Sequence, residues 1–102
     1  MTLPLDGPSA QGTLSVTNAT VVEAKVGVSV FDCRQVITLL SSQKVYVYFG
    51  NLETGAPSAG TVSCDGFTIS KNQLVTFEAS AQQPVYLLAV SSTASVRIAE
   101  RG

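Results

Sequence analysis

The chain of 102 residues has no histidine and no tryptophan, and only 13% of it is charged. Without histidine, neither a Ser-His-Asp nor a Cys-His arrangement can activate a nucleophile. Two cysteines alone do not close a tetrahedral zinc shell either. The lack of tryptophan, with every tyrosine set in a hydrophobic stretch, counts against an exposed aromatic platform for sugars. Net charge is −1, and the six basic residues (Lys25, Arg34, Lys44, Lys71, Arg97, Arg101) are scattered, which argues against nucleic acid as a partner. No apolar run approaches the ~20 residues of a membrane-spanning helix, so no membrane partner is expected. The opening Met1-Thr2-Leu3-Pro4-Leu5-Asp6 lacks the basic and apolar regions of a signal peptide, and the expectation is folding in the cytosol that made it. There Cys33 and Cys64 stay reduced, and both are expected as buried small hydrophobes rather than a disulfide. No phosphate-cradling glycine loop exists, and the carboxylates are spread singly with no signature selecting a catalytic pair. The expectation is no enzyme and no cofactor.

What is present is strand. In Lys44-Val45-Tyr46-Val47-Tyr48-Phe49-Gly50, five consecutive residues are β-branched or aromatic, a composition that fits a pleated sheet and not a solvated loop. Val45, Val47 and Phe49 share one face and belong in a core; Tyr46 and Tyr48 share the other. The tyrosine face calls for a covering loop or another subunit, because tyrosine combines a large apolar area with a polar tip. A hydrophobic content of 45% in so small a domain also favours an oligomer.

Along the chain, residues 1–12 read as an extended N-terminal arm with Pro4, Gly7, Pro8 and Gly12, and residues 13–102 as one domain. Alternation predicts strands from Thr13 to Thr17, over Val26, Val28 and Val30, and from Gln35 to Leu40, with a short edge segment at Val21–Glu23. Ser41-Ser42-Gln43 is expected to fold Gln35–Leu40 back on Lys44–Gly50 as a hairpin. Asn51 to Gly60 is a loop long enough either to carry function or merely to cross between sheets. Thr61–Cys64 and Phe67–Ser70 are expected as strands flanking a tight Asp65-Gly66 turn. Further strands follow at Leu74–Glu78, Val85–Val90 and Ser95–Glu100. Val85–Ala99 shares the design of Gln35–Phe49, a doubly apolar strand beside a Ser-Ser turn, which predicts two similar hairpins. No helical periodicity is sustained. The fold class is all-β: a small antiparallel β-sandwich or jelly-roll-like barrel of about eight or nine short strands.

From Lys44 to Glu100 the order K-VYVYFGN, a loop, DGFTISKNQLVTFEA, then PVYLLAVSSTASVRIAE resembles the decoration (cement) proteins of tailed-bacteriophage heads. The loop Leu52–Gly60 and the N-terminal half have no counterpart in that resemblance. It implies a virion structural protein, assembled in the host cytoplasm and bound to the outer surface of a capsid. There it clamps capsomer seams through many repeated contacts. Its partners would be itself, as a homotrimer in preference to a dimer, and the phage major capsid protein. On that reading Tyr46, Tyr48, Tyr86 and Leu88 bury against sister subunits, Leu3 and Leu5 dock the arm on a neighbour or the shell, and Asn51 and Glu53 offer loop contacts. The competing expectations are a carbohydrate- or receptor-binding β-module using the Asn51–Gly60 loop with Gln82 and Gln83, and a neck or tail adaptor.

Overall fold

The computed structural model describes residues 9–28, 30 and 32–102. Among them the chain forms β1 (Ser9–Thr17), β2 (Val22–Glu23), β3 (Val36–Ser41), β4 (Val45–Phe49), α1 (Ala59–Asp65), β5 (Phe67–Ile69), β6 (Leu74–Glu78), β7 (Val85–Ala89) and β8 (Thr93–Arg101). These make two four-stranded antiparallel sheets, ordered β1-β8-β3-β6 and β2-β7-β4-β5. The pairs β1·β8, β2·β7, β3·β6 and β4·β5 are nested. A single long hairpin whose two arms are wound together round a core has this pairing, which is the jelly-roll form of the β-sandwich. The all-β expectation holds.

Period-two alternation places the core. From the first sheet Val16, Ile37, Leu39, Val96 and Ile98 point inward; from the second Val45, Val47, Ile69, Val85 and Leu87 meet them. The reading of β6 and β8 is confirmed in detail: Val75 and Phe77 pack against this core, and Val96 and Ile98 are buried while Arg97 is exposed.

Four expectations are corrected. None of the described residues of Val26–Val30 lies in a strand. This stretch lies in the connection that carries the chain from β2 in one sheet to β3 in the other; the Val26 N–H donates to Glu100 Oε1 at 2.9 Å, and Val28 is 97% exposed. Ser29, also read into that strand, lies outside the described residues. The two Ser-Ser turns make no hairpins, because β3 and β4 belong to different sheets, as do β7 and β8. Each turn is a corner between sheets, and the corners lock together: Ser42 N–H donates to Ser95 O and Ser95 N–H to Ser42 Oγ, both at 2.9 Å. Thr61–Cys64 is helical, within α1. Finally, residues 9–12, read as part of the arm, pair with β8 as the first described residues of β1.

The pairing also fixes which connections share an end of the sandwich. Residues 18–21, 41–44, 70–73 and 90–93 turn at one end. The β2–β3 connection, the loop after β4, the β6–β7 connection and the last residues of β8 gather at the other.

Candidate interaction surface

The outward face of the second sheet is where sequence reasoning placed the subunit contact. β4 and β7 are in register there, with Tyr46 opposite Leu88 and Tyr48 opposite Tyr86. Tyr86 is only 7% exposed and Leu88 only 3%, although they point away from the core. Their cover is α1, which packs on β4 and β7 and inserts the fully buried Val62. For Tyr86 and Leu88 the call for a second subunit is therefore answered by the chain's own helix, and neither offers a surface to a partner in this form. Tyr46 and Tyr48 are half-buried.

Local chemistry explains the helix. Ser58 caps its start in an extended conformation, and its Oγ accepts the Thr61 N–H at 3.2 Å. Gly66 ends it, donating its N–H to Val62 O at 2.9 Å. A Cβ on Gly66 would stand 2.5 Å from Val62 O and 3.1 Å from Val47 O, so only glycine lets α1 approach β4 this closely. Gly50 has a similar role under the ring of Tyr86, whose edge occupies the space a Cβ would take. Burial, and secondarily the Glu23 carboxylate, raise the Tyr86 phenol above its usual pKa of 10.0.

Both cysteines are free, as expected, but exposed rather than buried. Cys64 lies on α1 and Val62 supplies that helix's buried anchor; Cys33 lies in the β2–β3 connection against the C-terminal Gly102.

The open apolar surface lies elsewhere. β5 is an edge strand of one sheet and β6 of the other. Phe49, expected in the core, is 41% exposed at the end of β4 and bridges these edges. Its ring meets Phe77 of β6 edge-on at 5.3 Å and Phe67 of β5 at 6.5 Å. Phe67 is 69% exposed, and Leu52, in the loop after β4, is 63% exposed. Asn51 and Glu53, the expected loop contacts, are both exposed, but Asn51 is committed to its own turn: Oδ1 accepts the Glu53 N–H at 2.8 Å. Leu3 and Leu5 lie outside the described residues.

Sequence reasoning missed a heavily bonded buried side chain. Arg34 is fully buried, and Nη1 contacts Glu100 Oε2 at 3.1 Å. Nη1 also donates to Ala24 O (3.1 Å), Nε to Ala79 O (3.1 Å), and Nη2 to Ser80 O (3.0 Å) and Gln83 O (2.6 Å). One guanidinium thus ties the β2–β3 connection, the β6–β7 connection and the end of β8 together, and holds rigid the end of the molecule from which the Phe49 edge projects. A sequence signal existed for Glu100 alone: it shares the inward parity of Val96 and Ile98, where a charge demands a partner.

No protein-family model matches the chain, and no curated protein is similar to it in sequence. Among solved structures, a chain described under "Bacillus endospore appendages form a novel family of disulfide-linked pili" aligns over 99% of this chain and 96% of its own. The two share 9% identity at a TM-score of 0.42. A likeness at that level carries no argument about function.

Proposed function

We propose that this chain is a non-catalytic structural protein of a tailed-phage virion, one that decorates the outside of the capsid and clamps capsomer seams as a homo-oligomer. The observation that carries the reading is the exposed aromatic edge of Phe49 and Phe67, on a body built of two sheets and tied by the Arg34 clamp. A contiguous exposed apolar patch on a small rigid domain marks a protein contact site. The resemblance over Lys44–Glu100 supplies the setting. The strand residues in that resemblance (VYVYF, FTI, LVTFE, VYLLA and TASVRIAE) lie in β4 to β8 of the jelly roll. The edge is given the contact with the shell, and the sister-subunit contact first given to Tyr86 and Leu88 falls to another surface. The test is to mix the purified chain with undecorated phage heads and read occupancy by sedimentation and cryo-electron microscopy. Saturable binding at symmetric surface positions is the expected result. Retention on host polysaccharide with no binding to heads would favour the receptor-binding alternative instead.

A further inference from the structure

Charge is sorted along the strand axis. The four turns at one end carry exposed Lys44 and Lys71 and no carboxylate. The opposite end carries exposed Asp32, Glu53 and Glu78. Other charges there offset one another in part: Glu23 pairs with Lys25 at 3.5 Å, and Arg34 with Glu100 inside the molecule. The half-buried Arg101 at that end leaves its balance negative. The nine residues of β8 separate the two ends by about 30 Å, several times the ~10 Å over which salt screens a charge. The ends therefore present distinct fields. Exposed apolar side chains accompany both, with Val28 at the acidic end and Leu74 and Val90 at the basic end.

We infer that copies of this chain associate head to tail, the Lys44 and Lys71 end of one seating on the Asp32, Glu53 and Glu78 end of the next. Like ends meeting across a two-fold axis would set lysine on lysine or carboxylate on carboxylate, so charge selects the unlike pairing. Complementary charge orients the encounter, and the accompanying apolar side chains supply the buried area that holds it. Such a contact is heterologous: it closes into a ring, a trimer among the possibilities, where the rotation permits, and otherwise extends as a filament. The inference deepens the homo-oligomer in the proposed function but is tested apart from it. Failure to bind phage heads with stacking intact refutes the capsid role alone.

The experiment is sedimentation velocity of the full chain over a concentration series at about 20 mM and about 500 mM salt. The expected result is self-association at low salt that weakens at least about tenfold at high salt. Lys44→Glu/Lys71→Glu makes both ends acidic, and Glu53→Lys/Glu78→Lys makes both ends basic. Each variant alone is expected to be monomeric, and an equimolar mixture to associate again. Circular dichroism confirms that each is folded, and the salt series on the unaltered chain stands if either is not. A chain that stays monomeric at low salt, association indifferent to salt, or a lysine-reversed variant that still stacks on itself overturns the inference.

Discussion

Arg34 and Glu100 show what one buried pair does in a small sandwich. Burying two charges is costly, and an ion pair inside a protein is often no better than apolar residues of the same size. Here the guanidinium also donates to four main-chain carbonyls, Ala24 O and Ala79 O in buried bonds and Ser80 O and Gln83 O in part-buried ones. Arg34→Met should therefore lower stability by about 3–5 kcal/mol, read from urea midpoints. Adding Glu100→Leu removes the buried charge that Arg34→Met leaves uncompensated, but it also takes the acceptor from the Val26 N–H and restores none of the guanidinium's bonds to carbonyls, so the double variant should recover only part of the loss. Full recovery would mean that neither the carbonyl contacts nor the Val26 bond contributes. Tyr86 gives a second prediction at this scale. Its phenol titrates higher in the folded chain than unfolded, so its contribution is fully present below pH 10 and is lost as pH rises through the folded value. Tyr86→Phe has no phenol to ionise, and the difference in urea midpoint between it and the parent should shift in the variant's favour above pH 10. A constant difference from pH 8 to 11 would show that Tyr86 ionisation is not linked to folding.

At the scale of elements, α1 decides whether the tyrosine face is open or shut. Seven residues are too few for a helix to persist without packing, so its stability rests on the Ser58 cap, the Gly66 approach and Val62. Val62→Ala should cost about 2 kcal/mol by lost burial and the cavity left behind. Ser58→Ala should cost about 1 kcal/mol. If α1 is the cover, both variants should raise hydrogen exchange at Val62 and Gly66 more than at β3 or β8. Equal change everywhere would mean that α1 unfolds only with the whole domain.

What could be read beforehand follows the same logic. β4, β6, β7 and β8 were legible because their alternation or double apolarity records burial directly. Val26–Val30 alternates as cleanly, yet the Val26 N–H is bonded to a carboxylate from β8, and sequence periodicity contains no term for that. Thr61-Val62-Ser63-Cys64 is poor helix material; the signal lay in Ser58 and Gly66, outside the stretch whose propensity was weighed. The tyrosine face was correctly seen to need cover, but nothing local says whether the cover comes from another chain or from 13 residues downstream of Phe49. Corner and hairpin look alike too: a Ser-Ser turn fits either, and only the strand order separates them.

For the molecule as a whole, the question is which surface meets a partner once Tyr86 and Leu88 are covered. The jelly roll leaves β1 and β6 as edges of one sheet and β2 and β5 of the other; β5 and β6, which flank Phe49, carry neither proline nor lysine, the usual guards against pairing with another chain. Phe67 sits on one of these edges with most of its ring in solvent. Its replacement therefore separates docking from folding. Phe67→Ser removes one edge-on contact with Phe49 and little buried area, so the fold should lose about 1 kcal/mol or less. Attachment to phage heads should weaken by at least about tenfold, a loss of ~1.4 kcal/mol per site that grows where many sites act together. Phe77→Ser, which strips the partly buried ring from the core side of the same cluster, should instead lower stability without being selective for attachment. Occupancy on heads for Phe67→Ser equal to that of the parent, at equal stability, would show that the aromatic edge is bare surface and that the docking site must lie on another part of the molecule.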